Sequence, residues 1–390
     1  MKFDSTNFLK DHILKILSFY NKNSFDKNGG FFNVFLNDGS VFDKKNRHLV
    51  SGSRFVFNYA NAYLMTKDNK YKELCNHGLE FIINKHRNII TNHFSWQITN
   101  EKVVDGRAMA YGYAFVILAG SFAFKIGIKE GKELAEEAWN FMNKYFWEEK
   151  YSAYADELSP DLKILNPYRG QNANMHTVEA LIAAYEIFKE KKYLDRANLI
   201  AQQFAVNLAS QSQNQIWEHY DSSWKIDWEY NRDKPDDAYR PWGFQPGHQV
   251  EWAKLLLQLN EHYPEDWKIE RSIYLFEKGT TMSIDKEYGG LVYGYSPDGN
   301  FTNDNKYFWV QAEALAASWR LYKITNKKDY YNFYISLWEY CWKNFVDHKY
   351  GAWFNILTRK GKQIDKIKSP LGKTDYHTMG ACWDIISNMP

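Results

Sequence analysis

His248 sits where a Pro/Gly-broken loop, RPWGFQPG, runs into the amphipathic stretch HQVEWAKLLLQL, and Glu251 follows three residues on. Helix starts usually carry Ser, Thr, Asp or Asn, so an imidazole at this join calls for another reason. Residues three apart share a helix face, and the spacing predicts that Glu251 holds His248. The same pair recurs as His176 and Glu179 in QNANMHTVEALIAAYE, while His377, in GKTDYHTMGACWDII, follows Asp375. The positive end of a helix favours neutral imidazole, and a neighbouring carboxylate favours imidazolium. A histidine under both influences can take a proton near neutral pH and return it.

Arg54 lies inside the apolar run SGSRFVFNYA, so it needs an anion or several acceptors. Glu313, in the equally apolar WVQAEALAA, is a candidate partner for Arg54 or a ligand to substrate hydroxyls. Tyr111 and Trp309 stand at comparable places but are individually weak markers, since such rings more often fill cores. The remaining histidines, His12, His48, His77, His86, His93, His219, His262 and His348, occur mostly among polar and charged neighbours and are expected at the surface. Two His-x-x-Glu pairs and a third histidine also invite a metal. The order is the reverse of the Glu-x-x-His of di-iron bundles, however, and no His-x-x-x-His zinc pair is present, so no metal is expected.

These residues must be positioned by something that repeats. DKNGGFFNVFLNDGS from Asp26, DKEYGGLVYGYSPDGN from Asp285 and DHKYGAWFNILTRKGK from Asp347 share Asp, Gly, a short aromatic or β-branched run and a turn, which reads as a small hairpin. Weaker versions start at Asn92, Glu148 and Asn214. Six such punctuations, each interval holding two helix lengths, predict an all-α (α/α)6 barrel with short β-hairpins in its inter-helix loops, as one domain spanning 1–390. An open helical solenoid is the structural alternative. Expected inner helices are 54–66, 107–127, 175–188, 247–262, 308–324 and 377–388, apolar on more than one face. Arg54, Tyr111, His176, His248, Trp309 with Glu313, and His377 then fall at or near inner-helix starts, and in a closed ring they converge on one mouth.

Composition narrows the partners. Aromatic residues make up 18% of the chain, including 15 Trp and 28 Tyr, and such rings suit sugar faces as well as cores. A formal charge of +2 without a basic block points away from nucleic acid and from anionic membranes. No stretch reaches 18 apolar residues, and the N-terminus lacks the apolar core of a signal peptide. Three cysteines without a C-x-x-C pair suggest a reducing, cytoplasmic setting. The sequence leaves monomer and homo-oligomer equally open.

SGSRFVFNYA, YRGQNANMHTVEA, QPGHQVEWAKLLL, WVQAEA and GKTDYHTMGA, in that order, resemble the N-acylglucosamine 2-epimerase superfamily, which includes cellobiose 2-epimerases, mannose isomerases and sulfoquinovose isomerases. The resemblance covers nearly the whole chain. It implies an (α/α)6 barrel, no metal or redox cofactor, and proton movement at the carbon beside a sugar aldehyde. It also implies His248 and His377 as the acid/base pair, His176 and Arg54 as ligands to the ring-opened sugar, and Asn172, Tyr111 and Glu251 in support. QPGHQVEWAKLLL, with Trp252 and a basic residue after the glutamate, is similar to the mannose-isomerase branch. The expected substrate is a free neutral sugar, D-mannose giving D-fructose, because Arg54, with only Arg240 and Lys373 as possible helpers, makes no phosphate cluster. A 2-epimerase using the same histidines is the alternative. More distant readings are a sugar-binding protein and a glycoside hydrolase or lyase. A hydrolase would need two carboxylates across the scissile bond, and Asp375 with Glu313 is the pair to nominate.

Overall fold

The computed structural model describes residues 2–237 and 239–389. Its helices are α1 (Thr6–Asn21), α2 (Leu49–Thr66), α3 (Asn69–Phe81), α4 (Ala110–Lys125), α5 (Glu130–Tyr145), α6 (Gln171–Phe188), α7 (Lys191–Gln202), α8 (Pro246–His262), α9 (Asp266–Ser283), α10 (Phe308–Thr325), α11 (Lys328–Asn344) and α12 (Tyr376–Ser387). Even-numbered helices pack on one another in sequence, and α12 packs back on α2. That contact closes the ring and decides between barrel and open solenoid. Each inner helix carries one outer helix, the sixth being α1 against α12.

Burial explains which helices go inside. In α5 the buried residues Gly131, Leu134, Ala135, Ala138, Trp139 and Met142 form one stripe, as in a helix covered on one side. In α4 almost every residue from Ala110 to Ser121 is buried, as required of a helix packed on both sides. Gly120 of α4 and Gly131 of α5 meet backbone to backbone: a Cβ on Gly120 would stand 2.5 Å from the Gly131 carbonyl oxygen.

The hairpins recur as expected. Outer helices are followed by loops closed by antiparallel pairs at Phe25–Phe31, Arg87–Phe94, Trp147–Tyr154, Ile284–Leu291 and Val346–Trp353. The fourth repeat differs, ending instead in a 3-10 turn at Ala209–Gln211. A second set of pairings joins neighbouring repeats just ahead of the inner helices: 46–48 with 97–99, 108–109 with 157–158, 169–170 with 219–220, Phe244 with Tyr295, 306–307 with 356–357, and 367–369 with 35–36. This girdle fixes all six inner N-termini at one mouth.

Inner helices are also pinned to the loops behind them. Asn174, Gln249 and Gln311 each use both amide atoms, accepting from and donating to the backbone of Tyr154, Ile216 and Leu291 respectively. Helix starts differ from expectation by up to five residues, because the girdle strands, which lack a helical period, set them.

Five of the eight histidines expected at the surface are buried: His12, His48, His86, His93 and His219. Three of them serve the irregular loops, whose backbone groups have few other partners. His86 Nδ1 meets the Ser95 carbonyl at 2.8 Å, His93 Nε2 meets that of Gly106 at 2.6 Å, and His219 Nε2 meets that of Pro241 at 2.9 Å. His48 caps α2 by accepting from Val50 N–H, and His12 accepts from Trp353 Nε1. Among the described residues no helix is long and apolar enough to cross a membrane. All three cysteines are buried and unpaired.

Candidate active site

The girdled mouth opens into a cavity whose wall includes Arg54, Tyr111, Asn172, His176, His248, Glu251, Trp309 and His377. Eight of the nine residues expected at the site therefore meet in one place. Glu313 is the ninth and lies behind His377, lining a separate cavity toward the C-terminal ends of the inner helices.

His248 is the third residue of α8, which starts with Pro246 at its first turn and has no side-chain cap. Proline needs no capping partner there, since it has no N–H. The carboxylate that holds His248 is Glu218, whose two oxygens both lie 2.9 Å from Nδ1. Glu251 does not hold it, contrary to the expectation from spacing. The Gln171 amide donates to Glu218 at 2.9 Å and accepts from Trp252 Nε1 at 2.8 Å, so α6 and α8 together fix that carboxylate. No sequence signal marks Glu218, because it belongs to the weak fourth hairpin, NQIWEHYDSSWK, and reaches α8 only through the girdle. His48, Pro241, Tyr239, Tyr293 and Leu371 are further wall residues that spacing and composition do not single out.

The other two histidines are built in the same way. His377 Nδ1 lies 2.7 Å from Glu313 Oε1, and His176 Nδ1 lies 2.9 Å from Glu179 Oε2. Assigning the proton to Nδ1 in each bond leaves Nε2 as the free ring nitrogen. Burial, then the charges of Arg54 and Lys373, hold His377 well below the ordinary histidine range. Burial brings His176 down to about 4, against the pull of Glu179. Both are neutral at pH 7 and able to accept a proton.

Glu313 is thus neither a partner of Arg54 nor a wall residue. Its second oxygen takes an ion pair from Lys254 at 2.6 Å. Asp375 points elsewhere too, accepting from Tyr20 Oη at 2.6 Å and Thr378 Oγ1 at 2.8 Å, so it cannot join Glu313 across a glycosidic bond. Arg54 finds its acceptors in the Gly372 carbonyl and Tyr111 Oη, and its guanidinium lies between the Phe115 and Tyr376 rings, 4.4 and 4.6 Å from their centroids. Arg240 is spent on Glu157 and Tyr230 and stacks on Tyr168.

Several buried polar atoms of the wall find no protein partner: Arg54 Nε, Asn172 Oδ1, Trp309 Nε1 and both oxygens of Glu251. Burial, then the adjacent Glu313, pushes the Glu251 carboxyl well above the usual carboxylate range. A wall of unmet donors and acceptors suits a polyol. His176, Glu179 and Glu251, and likewise Glu251, Glu313 and His377, bring possible metal-ligand atoms within 4.8 Å of one another. Glu179 and Glu313 are already engaged by imidazoles, and Lys254 supplies a fixed cation beside them.

The sequence matches the N-acylglucosamine 2-epimerase (GlcNAc 2-epimerase) family over residues 30–381. The chain belongs to this family. Within the N-acylglucosamine 2-epimerase family it is 47% identical to a D-mannose isomerase of Marinomonas mediterranea, over 99% of this chain and 98% of that protein. A crystal structure of D-mannose isomerase superposes with a TM-score of 0.98 at 47% identity, covering 99% of both chains. Cellobiose 2-epimerase from Spirochaeta thermophila shares the fold at TM-score 0.88 and 19% identity, over 98% of this chain and 96% of that one. The fold is the (α/α)6 barrel expected from the repeats.

Proposed function

We propose that this chain is a cofactor-independent aldose–ketose isomerase that interconverts free D-mannose and D-fructose, working as one barrel domain in the reducing cytosol. The observation that carries this reading is the convergence on one polar cavity of three histidines, each with a carboxylate on Nδ1. Similarity to D-mannose isomerases along the full chain supports the choice of sugar. His248 and His377 form the acid/base pair. One removes the C2 proton of the open-chain aldose, and the electrons move onto O1 to give an enediolate. The same proton is then delivered to C1, while the second histidine assists ring opening and proton exchange between O1 and O2. Arg54, His176, Asn172, Tyr111, Glu251 and Trp309 hold the sugar oxygens and the carbon skeleton.

Incubation of the purified protein with mannose, glucose or fructose, before and after dialysis against a chelator, tests the reading by sugar chromatography. Mannose should give fructose reversibly, and the chelator should leave the rate unchanged. Glucose appearing ahead of fructose at early times would make the chain a 2-epimerase, and recovery of lost activity by Mn²⁺ or Zn²⁺ would make it a metalloenzyme.

A further inference from the structure

Lys373 stands on the cavity wall in the loop just before α12. The two residues after it, Thr374 at φ 53° and Asp375 at φ 47°, occupy the left-handed region consecutively, which is costly for side chains such as these. The loop is held there from several sides. Ser51 Oγ accepts from Gly372 N–H at 2.8 Å, Arg54 donates to the Gly372 carbonyl, Asn58 donates to the Thr374 carbonyl at 3.0 Å, and Tyr20 donates to the Asp375 carboxylate at 2.6 Å. Amid this anchoring, the Lys373 ammonium has no hydrogen bond or ion pair among the described residues. It lies 5.6 Å from the centroid of the Trp309 ring. A strained, over-determined backbone that presents one unpaired cation to a cavity is the arrangement expected of a group that meets its partner only when substrate is bound.

We propose that Lys373 is a further catalytic residue, whose ammonium donates to O1 and O2 of the open-chain sugar and carries, with Arg54, the negative charge of the enediolate. This rests on the isomerase reading. Arg54 has only its Nε unengaged for that charge, because its Nη1 and Nη2 serve Gly372 and Tyr111 and stacked rings fix its plane. Lys373 adds a second cationic donor on the same wall. The step balances without further reagents. The C2–H bond breaks, its proton passes to the histidine base and the electron pair becomes charge on O1; the second histidine moves the O2 proton to O1, the C2–O double bond forms, and the imidazolium returns the first proton to C1 while Lys373 keeps its own.

Burial, then the Arg54 charge, lowers the Lys373 ammonium to about 7. The groups lining the same cavity are Arg54 and His48 of the α2 region, Tyr111 of α4, His176 of α6, His248 and Glu251 of α8, Tyr239 and Tyr293 of the loops, and His377 of α12. Among the described lining residues Glu251 is the one carboxyl; burial, then Glu313, raise it well above the ordinary carboxylate range, and it makes no hydrogen bond or ion pair to Lys373. The anion that this ammonium meets therefore arrives with the reaction.

The test compares Lys373→Met and Lys373→Arg with the wild type on mannose, following kcat, KM, the pH profile of kcat/KM, and thermal melting. Lys373→Met should lose about 10²-fold in kcat with KM changed less than about threefold, the pattern of an interaction made mainly in the transition state. Lys373→Arg should keep more than about a tenth of kcat, and its alkaline limb, near pH 7 in the wild type, should move above about pH 9 because guanidinium does not titrate there. A wild type inert toward aldoses would overturn the isomerase reading itself. An active wild type with Lys373→Met within about threefold of its kcat, or an alkaline limb unmoved in Lys373→Arg, would remove Lys373 from the mechanism. Should Lys373→Met fail to fold, the arginine variant's pH profile decides alone.

Discussion

At the level of single residues, one construction occurs three times: an imidazole at the start of an inner helix, with a carboxylate on Nδ1. Only the His176–Glu179 pair was legible from spacing, because it alone lies within one helix. Glu218 and Glu313 come from other repeats, 30 and 64 residues from their histidines, and no local periodicity reports such a meeting. The distinction can be tested by kinetics. His248→Ala and His377→Ala should each lower kcat by about 10²–10⁴-fold, as expected for proton-transfer groups, and should still fold. Glu218→Gln keeps the shape of the partner and removes its charge, so kcat should fall about tenfold or more with KM little changed. Glu251→Gln should act mainly on KM, since Glu251 lines the cavity and makes no bond to His248. A larger kcat loss in Glu251→Gln than in Glu218→Gln would restore the pairing suggested by sequence spacing.

The elements explain how residues so far apart in sequence arrive within hydrogen-bonding distance. The two-helix rhythm and its hairpin punctuation could be read directly, because amphipathic stripes and Gly-turn signals are local. The girdle could not, being made of strands of two or three residues defined only by their partners. Nor could the role of the loop histidines, whose polar neighbours in sequence give no hint of the buried carbonyls they satisfy. Gln249 links the girdle to the chemistry: its amide grips both backbone groups of Ile216, at 2.9 and 2.7 Å, and so clamps the segment carrying Glu218 against α8 beside His248. Gln249→Ala leaves a buried N–H and C=O unmet, at a cost of about 1–3 kcal/mol each. The variant should melt at a lower temperature and lose kcat in step with Glu218→Gln, although Gln249 is absent from the cavity wall. Lower stability with unchanged kcat would mean that the hairpin needs no such clamp to position Glu218.

For the whole molecule, closing the ring buries many polar side chains alongside the apolar core, and the histidines among them carry a pH liability. His12 and His48 are brought to about 3, and His86 to about 4, chiefly by burial. His176, at about 4, and His377, well below its ordinary value, shift in the same direction. In the unfolded chain all five titrate near 6.5, so below that pH the unfolded state binds more protons than the folded one. The stability they confer is complete above pH 6.5 and is lost as pH falls toward their folded values. His93 and His219 are lowered as well, whereas Asp156, raised to about 7, and Glu251, Glu313, Asp375 and Glu137, also raised, run the other way, because the folded state protonates them first. The imidazoles outnumber them, and each imidazole not offset contributes about 1.4 kcal/mol per pH unit. The melting temperature should therefore be highest near pH 7 and fall steadily from pH 6.5 to pH 5, well before the ordinary carboxylates titrate. His86→Gln should flatten that fall, because an amide can still donate to the Ser95 carbonyl but cannot be driven to charge by unfolding. A melting temperature constant down to pH 5 would show that these imidazoles are charged and solvated within the folded barrel, and that its interior is far wetter than the burial of His12, His48 and His86 indicates.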